Sequence, residues 1–326
     1  MSDMIAKING IAIASIGKVN GIAVASIGKI NGIAWAIGYK GYCMGGEYPV
    51  TAVVEDLTFS NETSVVITDV LDVATSKCTG INSSIKGYAM GGKDTYNNNH
   101  SYIEALTFSN ENVILIVTLL SPARCKSTGV NSSTKGYLMG GDTWEYSKVI
   151  GDLIFSNETY ETISATLDTG KDCGAGVNSS TKGYIMGGYD GGNDVNAIED
   201  LTFSTEASVT ITATLGARHS GAGVNSSTKG YIMGGTYFYN TNQIEDLTFS
   251  TETSVTIVAT IPNATAASTG VNSSTKGYIM GGFSWDNSYA LSGIQSLTFS
   301  NETSQTISAT LDTDKCHGAG VQSGSV

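Results

Sequence analysis

The side chains able to carry covalent or metal chemistry are few and scattered. They are three histidines, His100, His219 and His317, and five cysteines, Cys43, Cys78, Cys125, Cys173 and Cys316. A hydrolytic relay needs a histidine oriented by a carboxylate beside a nucleophile on a sharp turn, and no nucleophile-elbow motif accompanies any of the three. An odd cysteine count with no Cys-x-x-Cys pair fits neither a disulfide framework nor a familiar zinc spacing, and points to synthesis in a reducing cytosol. Cys125, Cys173, His219 and Cys316, with Cys78 slightly displaced, each precede the same repeated segment. A metal held by several repeats would use such a set. Small residues tolerated at one repeat position are the plainer account. The expectation is therefore a protein without catalytic residues, metal or cofactor, and not an enzyme.

Binding chemistry is better represented. Six stretches of unequal length carry Tyr48; Tyr96 and Tyr102; Trp144 and Tyr146; Tyr189; Tyr237 and Tyr239; and Trp285 and Tyr289, interleaved with Asn and Asp. Aromatic platforms beside amides and carboxylates suit a polar surface ligand such as a glycan or a protein loop. Variable loops act this way when a rigid scaffold presents them.

That scaffold is a repeat. Gly-Tyr-x-Met-Gly-Gly begins at Gly41, Gly87, Gly136, Gly183, Gly230 and Gly277, and the lysines just before it are 46, 49, 47, 47 and 47 residues apart. Such a period marks units that bury their apolar faces only against neighbours. With 40 glycines, three prolines and 14% charged residues, short strands and tight turns are expected in place of long helices.

One unit reads as four strands. Gly221–Ser226 is a first strand of small residues, fit for a crowded axis; Tyr231–Met233 is a second, ending in Gly234-Gly235. Ile244–Ser250 is a third and Ser254–Thr260 a fourth, with Val255, Ile257 and Ala259 expected on one face. The turns between strands one and two (Asn-Ser-Ser-Thr-Lys-Gly) and three and four (Phe-Ser-x-Glu) hardly vary and share one face. The loops after Gly-Gly, and those between units, share the other. Four strands in 47 residues is the size of a propeller blade.

The second strand ending in Gly-Gly and a third like Ile244-Glu245-Asp246-Leu247-Thr248-Phe249 resemble the kelch-type (galactose-oxidase-type) propeller over residues 39–326. The kelch tryptophan of the fourth strand is absent, with Val209 or Val255 near its place. First-strand copies begin near Thr79, Thr128, Gly174, Gly221, Thr269 and Gly318, and the first Gly-Tyr motif has none before it. The fold expected is all-β, a six-bladed kelch-like propeller closed by the C-terminal strand, whose closure leaves no open edge. The copper site of oxidase relatives has no matching motif here.

Residues 1–38 form a second domain with a shorter period. Lys7–Gly17 recurs at Lys18–Gly28 and, shortened, at Lys29–Gly38. Two glycines per 11 residues disfavour a helix, and Asn-Gly is a hairpin signal, so short strands such as Ile11–Ile16 are expected. The lysines at 7, 18 and 29 interrupt any membrane span, and the first residues lack a basic signal-peptide start. Asn-x-Ser/Thr sequons at Asn82, Asn131, Asn178, Asn225 and Asn272 are by-products of a repeated turn, with no glycosylation expected. A net charge of -12 with 17 Lys+Arg argues against a nucleic-acid partner, and none is expected.

These 11-residue repeats resemble leaders of bacteriophage virion proteins. The resemblance implies a tail fibre or appendage, assembled in the host cytoplasm and carried on the virion. Residues 1–38 would attach it to other virion proteins as a homo-oligomer, with a trimer favoured. The propeller loops would bind a host-surface glycan or protein, or neighbouring subunits. A cellular kelch-like adaptor or lectin-type binding protein without catalytic activity is the alternative reading.

Overall fold

The computed structural model describes residues 39–324 together with six two-residue strands nearer the N-terminus. The fold starts from two kinds of turn. In the first, Ser132 N–H donates to Lys135 O (2.9 Å) while Ser132 Oγ accepts from Lys135 N–H (3.1 Å), so one serine closes the turn from both sides. In the second, Glu158 takes a left-handed conformation (φ 54°) and its N–H donates to Ile154 O (2.8 Å). Each turn reverses the chain, and six units of four antiparallel strands result.

From the axis outward, blade 1 runs Ala319–Gln322, Lys40–Gly46, Thr51–Thr58 and Thr63–Val66. Blade 2 is Thr79–Asn82, Lys86–Met90, Ile103–Thr107 and Asn112–Leu115, and blade 3 Thr128–Asn131, Lys135–Met139, Val149–Ile154 and Thr159–Thr166. Blade 4 is Ala175–Asn178, Lys182–Met186, Ala197–Thr202 and Ala207–Thr214; blade 5 is Ala222–Asn225, Lys229–Met233, Gln243–Thr248 and Thr253–Thr260. Blade 6 is Thr269–Asn272, Lys276–Ser284, Tyr289–Thr298 and Thr303–Thr310. The inner strands neighbour one another in a closed cycle, so the protein is a six-bladed all-β propeller. The C-terminal strand completes blade 1, Ala319 opposite Met44 and Gln322 opposite Gly41.

Glycine sets the diameter of the axis. A Cβ on Gly176 would lie 2.2 Å from Gly129 O, and one on Gly129 2.3 Å from Gly80 O; the contact repeats through Gly80, Gly320, Gly270 and Gly223 until the circle closes. Only a residue without a side chain lets six inner strands approach this closely. Apolar cores fill the gaps between blades. Val224, Tyr231, Met233, Ile244 and Ile257 of blade 5 pack with Ile279 and Leu297 of blade 6, so neither blade has a core without its neighbour.

The fourth strand differs from expectation. Gln243 pairs with Thr260 but Glu245 with Thr256, so the outer strand carries a bulge. The bulge reverses the alternation. Ile257 is buried and Ser254 and Ala259 are half-buried, whereas Val255 is 56% exposed and does not share their face. Blades 3, 4 and 6 carry the same irregularity.

In the N-terminal repeats, Lys7–Ile8 pairs with Ile11–Ala12, Lys18–Val19 with Ile22–Ala23, and Lys29–Ile30 with Ile33–Ala34, one hairpin per repeat. The remainder of the expected strand Ile11–Ile16 lies outside the described residues. Among the described residues no helix is long and apolar enough to cross a membrane.

Candidate functional site

The antiparallel order gives the ring two unlike faces. On the face of the short turns, the least varied residues of the repeat join each blade to the next. Lys135 Nζ lies 2.5 Å from Asp152 Oδ2 of its own blade and 2.6 Å from Glu206 Oε1 of blade 4. Tyr137 donates its hydroxyl to the same Glu206 oxygen (3.2 Å) and stacks on Phe203 (centroids 5.5 Å). Burial, with Glu206 beside it, holds the Tyr137 phenol far above its ordinary range. The Lys–Tyr–Phe–Glu arrangement recurs at all six junctions, with Glu111, Glu158, Glu206, Glu252, Glu302 and Glu62 as acceptors. The little-varied Gly-Tyr and Phe-Ser-x-Glu segments are thus structural fasteners. Their repetition reflects ring assembly.

The opposite face carries the variable loops, and nine of the ten aromatic site residues named from sequence are exposed there. These are Tyr48, Tyr96, Tyr102, Trp144, Tyr146, Tyr237, Tyr239, Trp285 and Tyr289; Tyr189 is half-buried. Local chemistry raises several of them. Asp94 Oδ1 accepts from Tyr96 N–H and Asp142 Oδ1 from Trp144 N–H, both at 2.8 Å, so each carboxylate folds a tight turn that lifts the aromatic two residues on. Tyr48, Trp144 and Phe238 hold positive φ (75°, 76° and 59°), a conformation bulky residues adopt only under constraint. Phe238, 80% exposed at the tip of a small hairpin, joins the exposed aromatics of this face and was not singled out from sequence. Its position between Tyr237 and Tyr239 was the available signal.

The structure gathers these aromatics at the blade junctions. Tyr48 of blade 1 stacks on Phe283 of blade 6 (5.3 Å), and Trp285 meets the edge of that ring (5.0 Å). Tyr146 of blade 3 packs edge-on against Tyr189 of blade 4 (5.6 Å), which lies beside His219 (5.6 Å). Lys93 of blade 2 sits 5.5 Å over the Trp144 ring. The surface that results is a set of aromatic shelves separated by polar edges, not one deep pocket.

At the centre of this face the loops between blades surround an axial cavity of about 160 Å³, lined mostly by small residues, with Lys77, Lys126, Cys78, Cys173 and His317 among them. A closed circle of six backbone hydrogen bonds frames it. Lys126 N–H donates to Lys77 O, Lys77 to His317 O, His317 to Ala267 O, Ala267 to Ser220 O, Ser220 to Cys173 O and Cys173 to Lys126 O, all between 2.7 and 2.9 Å. Each of the six donors has a φ near 55°.

The cysteines and histidines are spread around this mouth. Cys125 and Cys316 are buried and Cys173 half-buried. Burial pushes the Cys125 thiol up to about 11 and those of Cys78, Cys173 and Cys316 up to about 12, so none of these is a thiolate near neutral pH. His100 Nε2 is 2.7 Å from Thr75 Oγ1, and His219 Nδ1 is 2.5 Å from Asp194 Oδ1. His317 lies beside Cys316 and Glu47. Among the described residues, Glu47, Cys316 and His317 are the only three-donor group compact enough for a metal. No known family model matches the chain, and no curated protein matches it significantly.

Proposed function

We propose that the chain is a structural protein of a bacteriophage particle, a tail fibre or appendage. Residues 1–38 attach it to other virion proteins, and its loop face binds a host-surface receptor or neighbouring subunits. The observation that carries this reading is the difference between the two faces. One is built from six near-copies of the same fastener; the other varies in every blade and exposes large aromatics that a folded ring has no need to expose. Aromatic shelves edged by amides and carboxylates fit sugars or a polar protein loop. The ring itself belongs with kelch-type propellers on the strength of its Gly-Gly strand ends, and the 11-residue repeats support attachment and trimerisation. The binding role is recognition without catalysis.

The test is a binding screen of the full chain against glycans and intact bacterial surfaces, with mass measured in solution. Binding by a trimer, lost when Trp144, Tyr237, Tyr239 and Trp285 are all changed to Ala, is the expected result. A monomer that binds only soluble glycans or cellular proteins would overturn the virion reading in favour of an adaptor or lectin. A trimer that binds no surface would make the loops contacts between subunits.

A further inference from the structure

The six junctions between blades have a common plan. The residue after each Gly-Gly pairs by backbone with the residue ahead of the left-handed one in the neighbouring loop, as Asp142 does with Cys125, Tyr189 with Asp172, Thr236 with His219 and Glu47 with Cys316. At five junctions this brings together groups without a common chemistry. In blade 1, where the loop arriving from blade 6 enters the closing strand, it brings together a thiol, an imidazole and a carboxylate. Glu47 N–H donates to Cys316 O (2.8 Å), and His317 is fixed by its φ of 56° and by its place in the circle of backbone hydrogen bonds. All three side chains therefore stand on a backbone that is held in place.

Their donor atoms converge. His317 Nδ1 is 3.2 Å from Cys316 Sγ and 3.3 Å from Glu47 Oε2, and the three ligand atoms lie within 4.8 Å of one another. Two contacts on one ring nitrogen cannot make a catalytic relay, which needs the nucleophile on one imidazole nitrogen and the carboxylate on the other. They do resemble the edges of a coordination tetrahedron. For bonds of about 2.3 Å to sulfur and about 2.0 Å to nitrogen and oxygen, such edges are roughly 3.3–3.6 Å. The second Glu47 oxygen, Oε1, is 3.0 Å from Lys77 Nζ, so the carboxylate is already oriented by an outer partner, as ligating carboxylates are.

We infer that Glu47, Cys316 and His317 form a site for a divalent transition-metal ion of the zinc type, joining the closing strand of blade 1 to the strand on which it pairs. The ion takes Sγ, Nδ1 and Oε2, replaces the thiol proton, which passes to solvent, and leaves the fourth position to water. Its role is to pin the seam. Cys316 and His317 precede the closing strand Ala319–Gln322, while Glu47 follows the strand on which that closing strand pairs. Binding to the closed ring alone stabilises it by mass action.

The experiment uses the full chain, freed of metal and kept reduced by a non-thiol reductant, titrated with cobalt(II). A thiolate-to-cobalt charge-transfer band at one equivalent is expected, with zinc displacing the cobalt and raising the thermal unfolding midpoint. Cys316→Ser loses the band, whereas Cys125→Ser, at the matching place of another junction, retains it. His317→Gln and Glu47→Gln weaken cobalt binding while leaving the cysteine in place, and they serve if Cys316→Ser does not fold. Absence of the band in the unaltered chain, its survival in Cys316→Ser, or unchanged affinity in both His317→Gln and Glu47→Gln overturns the assignment.

Discussion

Lys276 of the last blade and Glu62 of the first are joined across the seam of the ring, Nζ to Oε1 at 2.7 Å, though 214 residues separate them in the chain. Tyr278 donates its hydroxyl to the same oxygen (3.0 Å). The same fastener closes the other five junctions, so the seam uses the chemistry of the interior.

Removing it has a two-part signature. Glu62→Ala loses a half-exposed ion pair and a tyrosine hydrogen bond, with an expected cost of roughly 1 kcal/mol. Glu62 also sits at a φ of 53°, where an L side chain is strained. Glu62→Gly loses the same contacts but relieves that strain, and should be the more stable of the two by about 1 kcal/mol. Denaturant unfolding of both variants checks the order; an alanine variant at least as stable as the glycine would contradict it.

The glycine circle makes a sharper prediction. In Gly176→Ala the new methyl meets Gly129 O at 2.2 Å, a backbone atom that cannot swing aside. The cost expected is about 3 kcal/mol or more, or failure to fold. Gly293→Ala has open space around its new methyl and should stay within about 1 kcal/mol of the parent. Equal effects of the two substitutions on the unfolding midpoint would refute the steric account.

Stability against pH should report on Glu104. Equivalent carboxylates meet a buried cation, Glu55 with Lys315, Glu199 with Lys171 and Glu245 with Arg218. At blade 2 the matching loop residue is Thr75, and among the described residues Glu104 accepts only the N–H groups of Asp72 and Val73. Burial pushes its carboxyl from about 4.5 up to about 7. A folded value above the unfolded one means that the folded state holds the proton more tightly. Glu104's contribution is thus fully present below about pH 4.5 and is lost as pH rises through about 7, a change on the order of 3 kcal/mol. In blade 6, where the loop again supplies a threonine (Thr265), the matching residue is Gln295, which exchanges two hydrogen bonds with Asn263. Glu104→Gln should remove this slope. Calorimetry between pH 4.5 and 8 would decide, and an unchanged slope in the variant would exclude Glu104 as its source.

The loop-face aromatics should separate binding from folding. Trp144 is 75% exposed and Tyr239 74%. Changing either to Ala should leave stability within about 0.5 kcal/mol, while any surface ligand is lost tenfold or more if the ring is a binding platform. Parallel unfolding and surface-binding measurements test this, and loss of stability together with binding would count against it.

Much of this architecture was legible in the sequence because each repeat announces its own strands. Gly-Gly marks the end of the second strand, and the copy at Gly318 without a following Gly-Tyr motif announces closure. Near-identity of the repeats also concealed things. A phenylalanine and a glutamate recur in every unit, so sequence alone could not tell that Tyr137 uses Phe203 and Glu206 of the next blade in place of its own Phe155 and Glu158. The outward turn of Val255 depends on a bulge that no residue type announces. The loops placed nine of ten aromatics correctly on the surface because composition is a fair guide to exposure. Grouping Glu47 with Cys316 and His317 required the circle to be closed first, since 269 residues separate Glu47 from Cys316.

At the seam the first turn is cut, yet its bonds persist. Ser323 N–H donates to Lys40 O (2.9 Å) and Ser323 Oγ accepts from Lys40 N–H (2.8 Å), as Ser132 and Lys135 do within an unbroken turn. The ring therefore has six interchangeable openings, of which this gene uses one. Linking 323 to 39 and cutting at any of the other five serine turns would yield a circular permutant of the same object, and moving the cut would join residues 1–38 to a different blade.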